Sequence, residues 1–270
     1  MDRSQSGRTV RPAKTPPGVP APGLIYRFAA WVGLIIMRLQ RWRFRVIGFE
    51  HVPIRGGVAI AANHTSFWDF FAVAQFPYLR HGRPVRILAK ESLFRLPLFG
   101  PLITRTGCIP VDRGNGKDAL VHAVTSLHGG EVVLLLPEQT ISQSYDLLPF
   151  KTGAVRMAQA AGVPLVPAVS WGSHRFFTTG RRPRWSWKLP VSVRFGEPLH
   201  VLPEDDVEVI TKELRIRMQA MLDQIIAEYE DGTPAGAWWV PHRLGGGAPE
   251  HAVVEQEHRT TNSRWRRRRR

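Results

Sequence analysis

The stretch Asn63-His64-Thr65-Ser66-Phe67-Trp68-Asp69 puts a base and an acid where the chain changes its character. An apolar, β-branched run, Gly57 to Ala61, precedes it, and an apolar segment, Phe70 to Ala74, follows. The pattern predicts a strand handing over to a helix from Ser66, with His64 at the junction. Junctions at the carboxyl ends of strands are where α/β proteins place ligands. A neutral imidazole whose tautomer is fixed by an aspartate is a general base. The positive end of the helix dipole disfavours imidazolium there and keeps the ring able to take a proton. Ser66-x-x-Asp69 also fits a capping box, in which Asp69 would only satisfy backbone N–H groups. On this segment alone the two readings weigh the same.

Three more blocks stand in order downstream: Gly107-Cys108-Ile109-Pro110-Val111-Asp112-Arg113, Leu136-Pro137-Glu138-Gln139-Thr140, and Val163-Pro164-Leu165-Val166-Pro167. Leu88 to Phe94 and Pro97 to Gly100 lie between the first two. With His64-x-x-x-x-Asp69 they resemble the signature blocks of the glycerolipid acyltransferases, the 1-acyl-glycerol-3-phosphate acyltransferase (PlsC-like) family. The resemblance covers residues 44 to 200. One H-x-x-x-x-D is a weak signal, whereas four ordered blocks are a strong one.

The resemblance implies transfer of a fatty acyl group from a thioester, acyl-CoA or acyl carrier protein, to the hydroxyl of 1-acyl-glycerol 3-phosphate. The product would be phosphatidic acid, in phospholipid biosynthesis, with no metal and no bound cofactor. His64 would take the hydroxyl proton, and Asp69 would orient the ring and stabilise its charged form. Backbone N–H groups at the helix start would meet the developing oxyanion.

The substrate-binding set that the resemblance implies is Gly107, Arg113, Glu138 and Thr140, with Lys90 and Lys151. In the family the arginine matching Arg113 belongs to the acceptor site, and a guanidinium suits bidentate phosphate capture. Glu138 reads as a hydrogen-bond anchor rather than an acid–base group. Lys90 and Lys151 read equally well as solvated surface lysines. The third block departs from the family's Pro-Glu-Gly-Thr-Arg-Ser, with Gln139 for the glycine and Ile141 for the arginine. Isoleucine cannot replace a directional phosphate ligand, which leaves the acceptor open. Lys151 or Arg156 would supply compensating charge. Ser66 and Cys108 rank lower, as acyl-enzyme nucleophiles. Val163 to Pro167 either lines an acyl channel or is plainly structural.

The elements that must position these residues follow from periodicity. Residues 1–22, rich in Pro, Gly, Ser and basic side chains, read as disordered. Over 23–43, Leu24, Phe28, Trp31, Ile35 and Leu39 recur at helical spacing between arginines and tryptophans. That composition suits an amphipathic helix in a membrane interface. Residues 44–230 alternate strands (44–48, 57–62, 85–89, through 109, 132–136, 165–170, 191–195) with helices (from 66, 97–104, 117–128, 152–161, 204–229). The alternation predicts an α/β domain with a mixed, largely parallel sheet flanked by helices, the glycerol-3-phosphate acyltransferase-like fold. Val132 to Leu136 reads as a central strand buried on both faces, and Val191 to Phe195 as a strand nearer an edge. Residues 231–270 turn to Gly, Pro, Trp and arginine and read as a flexible basic tail.

The formal net charge of +15 favours anionic partners, above all a lipid headgroup surface. Arg181 to Lys188 mixes charge with Trp185 and Trp187, as interface-seeking loops do. No organised nucleic-acid motif is present, so no specific nucleic acid is expected. The single cysteine, Cys108, excludes an internal disulfide and points to a reducing compartment. No stretch has the length of a transmembrane helix, so the expected location is the cytoplasmic face of the cell membrane, peripheral or monotopic. The competing readings are an acyltransferase for glycerol 3-phosphate or another lysolipid or glycolipid, and a non-catalytic basic protein binding membranes or nucleic acid.

Overall fold

The computed structural model describes residues 12–112 and 116–267, with side chains as far as Thr260. The first half runs α1 (Leu24–Leu39), β1 (Arg43–Ile47), β2 (Val58–Ala62), α2 (Asp69–His81), β3 (Val85–Lys90), α3 (Glu91–Phe94), α4 (Phe99–Arg105) and β4 (Ile109–Val111). The second half runs α5 (Lys117–His128), β5 (Val132–Leu135), α6 (Gly153–Ala161), β6 (Leu165–Trp171), β7 (Pro190–Phe195), α7 (Val207–Ala227) and α8 (His251–Arg267).

Among the described residues the strands make one seven-stranded sheet, ordered β1-β7-β6-β2-β5-β3-β4. The five strands from β6 to β4 are parallel to one another, while β7 runs antiparallel to β6 and β1 runs parallel to β7. β2 is buried throughout because its side chains alternate between two cores. Ala59 and Ala61 face the layer built by α5, α6 and α7, and Val58, Ile60 and Ala62 face the layer of α1 and α2. A strand covered on both sides must be apolar at every position, which is why these runs show in the sequence. β5 lies beside β2, and β7 lies one strand in from the edge at β1.

α1 packs on the domain by its small and flexible residues. Gly33 and Met37 are buried, and a Cβ on Gly33 would stand 2.6 Å from Cε1 of Phe71, so the glycine leaves room for that ring on α2. Four residues of the apolar stripe read from the spacing face outward, as an interfacial helix requires: Leu24 is 82%, Phe28 59%, Trp31 57% and Leu39 57% exposed.

Two terminal expectations need correction. Residues 1–11 lie outside the described residues, but the chain from Pro12 is tied down: Ala13 N–H donates to Leu79 O at 2.9 Å and Thr15 Oγ1 to Gly82 O at 3.0 Å. The expected flexible tail over 231–270 is in large part packed on the domain. Trp239, Val240 and Ala248 are buried in the core beside α7. Arg243 bridges Asp146 at 2.8 Å and Asp223 at 2.5 Å, and His251 Nδ1 pairs with Ser144 Oγ at 3.0 Å. Composition alone missed this because the segment has no periodicity; long-range contacts order it.

Candidate active site

His64 lies two residues beyond β2, at the carboxyl end of the sheet, between the loops that follow β5 and β6. Its backbone is held from both sides by the loop after β5. Glu138 Oε1 accepts the His64 N–H at 2.7 Å, and the Ser142 N–H donates to His64 O at 2.8 Å. Glu138 Oε2 accepts the N–H of Leu148 at 2.9 Å, which ties the loop back on itself. Beside His64, Asn63 clasps β6: Ser170 N–H donates to Asn63 Oδ1 at 2.8 Å, and Asn63 Nδ2 donates to Ser170 O at 3.1 Å. The side chain of His64 is 17% exposed, so the ring reaches solvent from a fixed backbone.

Asp69 is fully buried. A buried carboxylate is tolerated only when its lone pairs are taken, and here they are. Oδ2 accepts the N–H groups of Thr65 and Ser66, both at 2.6 Å, and faces His64 Nδ1 at 3.4 Å. Oδ1 accepts the hydroxyls of Ser170 at 2.9 Å and Ser173 at 2.6 Å. Asp69 is also the first residue of α2, so the helix dipole acts on this carboxylate directly. One oxygen thus meets the geometry of both readings: it takes the two backbone N–H groups and also faces the imidazole. An Nδ1–H turned to Asp69 leaves Nε2 as the nitrogen able to take a proton.

The helix begins at Asp69 rather than Ser66, and the intervening N–H groups are spent. Those of Thr65 and Ser66 go to Asp69, that of Phe67 to Phe177 O at 3.2 Å, and that of Trp68 to Ser66 Oγ at 3.0 Å. The N–H groups of residues 65–68, around the expected helix start, are thus committed within the protein. Ser66 Oγ in turn donates to Phe177 O at 2.8 Å, a structural role rather than that of a nucleophile.

The other sequence-selected residues are distributed unevenly. Glu138 is fully buried and touches backbone, so its place in the substrate-binding set gives way to that of an anchor under His64. Gly107 precedes β4 and sits at the amino end of the sheet, opposite His64; it too leaves the set. It has φ +77°, and a Cβ there would stand 1.6 Å from Nη1 of Arg86, so the glycine makes room for that guanidinium. Arg86 in turn pairs with Glu131 and donates to Thr106 O at 3.3 Å. Cys108 lies in the same region, its thiol pushed up by burial, which leaves it a poor nucleophile. Val163 and Pro164, at the amino end of β6, are likewise remote from His64.

At the carboxyl end, Lys90 closes β3 opposite Val111 of β4, directly before Asp112. Arg113 lies outside the described residues. Lys151 stands beside the Glu138 loop, its N–H donating to Pro137 O at 3.0 Å. Thr140 is half-buried in that loop, and Arg156 is exposed on α6 with Nε on Thr152 Oγ1 at 3.1 Å. Ile141, where the family carries arginine, is buried. Gln139, where the family carries glycine, has φ +60°, the left-handed region glycine fills without strain. Ser170 and Ser173 carry no role in the sequence reading; isolated serines give no periodic signal, and both lie more than 100 residues from Asp69.

Burial pushes the Glu138 carboxyl up to about 8, against its two N–H donors, with Asp69 adding to the rise. The folded state therefore holds this proton more tightly than the unfolded chain, whose carboxyl titrates near its ordinary 4.5. The resulting stability is fully present below pH 4.5 and is lost as pH rises through about 8. Glu138→Gln is expected to flatten the wild-type decline in Tm over that window, read by thermal unfolding of both proteins across pH. Parallel curves would exclude Glu138 as the titrating group.

Comparison with known proteins gives the same frame. Residues 43–171 match the family model described as Acyltransferase. The 1-acyl-sn-glycerol-3-phosphate acyltransferase of Bacillus subtilis (strain 168) is 30% identical over 210 residues, 77% of this chain and 98% of that protein. The enzyme of the same name from Escherichia coli (strain K12) is 34% identical over 116 residues, 42% of this chain and 46% of its own length. The lyso-ornithine lipid O-acyltransferase of Brucella abortus (strain 2308) is 26% identical over 71% of this chain and 80% of that one. In fold, the chain matches the crystal structure of the Thermotoga maritima 1-acyl-sn-glycerophosphate acyltransferase PlsC. The TM-score is 0.60 at 22% identity, covering 74% of this chain and 79% of that one. A relative 30% identical over nearly its whole length sets aside the non-catalytic reading: the chain is an acyltransferase and belongs to the PlsC-like, 1-acyl-sn-glycerol-3-phosphate acyltransferase family.

Proposed function

We propose that the protein transfers a fatty acyl group from acyl-CoA or acyl carrier protein to the free hydroxyl of 1-acyl-glycerol 3-phosphate, forming phosphatidic acid for phospholipid synthesis. The observation that carries this is His64 Nδ1 facing the buried Asp69. The acceptor oxygen attacks the thioester carbon as its proton passes to His64 Nε2. The C–S bond then breaks, and the leaving thiolate takes that proton back from the imidazolium. Asp69 stabilises the transient positive ring. The chemistry needs no metal or bound cofactor. Lys90 and Lys151 supply positive charge for the acceptor phosphate, and the resemblance assigns Arg113 to the same task.

The protein works at the anionic cytoplasmic face of the cell membrane. This rests on the solvent-facing apolar stripe of α1 and the positive net charge. No helix among the described residues is long and apolar enough to cross a membrane.

Buried Ile141 favours a second reading, in which the acceptor is another lysolipid, as the name of the Brucella abortus relative states for that protein. One assay tests both. Purified protein with acyl-CoA or acyl carrier protein thioester is offered lysophosphatidate, glycerol 3-phosphate or lyso-ornithine lipid, and free thiol is followed. Thiol release dependent on lysophosphatidate is expected. Release only with lyso-ornithine lipid would replace the first acceptor with the second, and release with none would reject both.

A further inference from the structure

The segment joining α3 to α4 carries Leu96, Pro97, Leu98 and Phe99, and the structure leaves it outside the core. Leu98 is 91% exposed, with Leu96 at 46% and Phe99 at 45%. The segment begins at the carboxyl end of β3, the end of the sheet that carries His64, and α4 packs along α1. The segment therefore lies beside α1, whose apolar stripe also faces outward.

The loop before β7 extends the same face from the other side. Ser186 N–H donates to Gln40 Oε1 at 3.2 Å and Lys188 N–H to Gln40 O at 2.8 Å, which pins the loop to the end of α1. Trp185 and Trp187 stand out from it at 64% and 58% exposure, with Arg41 stacked 4.9 Å from the Trp187 ring. Phe67, three residues from His64, is exposed against Phe177 at 4.5 Å and carries the apolar rim to the site. Exposed large apolar side chains gathered on neighbouring elements and rimmed by polar groups mark an interaction face.

Arginines border that face. Arg95 and Arg105 flank the α3–α4 segment, Arg41 stands at the end of α1, and Arg182 and Arg184 lie on the loop, all exposed. A cationic border around an apolar centre complements an anionic lipid surface, where basic groups meet headgroups and apolar groups enter the acyl boundary. A second copy of this chain would bring one arginine border against another.

We infer that the Leu96–Leu102 segment is a second bilayer-contacting element, separate from α1, which with the Trp185–Trp187 loop holds the mouth of the His64 site against an anionic membrane. A lipid acceptor then reaches His64 from the plane of the bilayer. This rests on the lipid-acceptor reading above and deepens it.

The test uses the full chain and the variant Leu98→Ser/Phe99→Ser, neither residue belonging to the catalytic machinery. Flotation with phosphatidylglycerol/phosphatidylcholine vesicles is expected to show at least tenfold weaker partitioning. Acyl transfer to a vesicle-embedded long-chain acceptor should fall in step, while transfer to a short-chain, water-soluble lysophosphatidate stays at the wild-type rate. A second measurement does not depend on that variant. Leu98→Cys in a Cys108→Ser background, labelled with an environment-sensitive dye, should shift to shorter wavelength on adding vesicles. Unchanged partitioning, or no spectral shift, overturns the proposal. So does a dimer without vesicles that the double serine variant dissolves. If thiol release fails with every acceptor while partitioning still falls, the docking element stands and the assigned reaction does not.

Discussion

His64→Ala is expected to lower kcat by ~10²–10⁴-fold, the usual contribution of a positioned general base, while leaving the fold in place. The structure separates the two effects. The loop geometry at position 64 depends on backbone groups, the N–H held by Glu138 and the carbonyl held by Ser142, and alanine keeps both. Removing the imidazole also strands no charge, because Asp69 retains four donors: two backbone N–H groups and two serine hydroxyls. The stability change should therefore stay within about 1 kcal/mol, as for substitutions that create neither a cavity nor an unpaired buried group. Thiol release under saturating substrates and urea unfolding of the same sample check the two halves together. Wild-type turnover by a pure, folded His64→Ala sample would remove His64 from the chemistry.

The parts of this site visible in the sequence are those whose chemistry is local. β2, β5 and β6 show as unbroken apolar runs because both of their faces are covered, and α5 matches its expected span from Lys117 to His128. His64 and Asp69 show because five residues of loop carry both partners to one point. What was hidden depends on tertiary contact. The Glu138 anchor reaches back across 74 residues, and the two serines on Asp69 reach across more than 100. Strand direction was the other missing information: Gly107 lies in a motif block but at the amino end of β4, so its value is the room it gives Arg86. The carboxyl-terminal segment misled for the opposite reason. Its Gly, Pro and Trp content resembles a tail, yet Trp239 packs in the core and accepts a hydrogen bond from buried His174 at 3.0 Å.

Asp69→Asn should produce a loss comparable to that of His64→Ala and identify its cause as charge. The site dictates how the amide must lie. Two backbone N–H groups converge on the Oδ2 position at 2.6 Å and cannot turn away, so the amide oxygen takes that place. Its NH₂ then faces Ser170 and Ser173, whose hydroxyls rotate from donor to acceptor. An oxygen remains opposite His64 Nδ1, and the ring keeps both its orientation and its proton-accepting Nε2. Only the negative charge that stabilises the imidazolium is gone. In an interior of low effective dielectric that charge is worth far more than in water. The expected result is a fall in kcat of ~10²–10⁴-fold with a small change in acceptor KM. Asp69→Ala makes the contrast. It leaves two backbone N–H groups and the Ser173 hydroxyl without their acceptor in a site with no exposure, and each orphaned group costs about 1–3 kcal/mol. The alanine variant should therefore lose stability that the asparagine variant keeps, and comparison of their urea midpoints reads that difference directly. An asparagine variant turning over at the wild-type rate would mean that Asp69 only shapes the loop, and the proton would have to be managed by His64 alone.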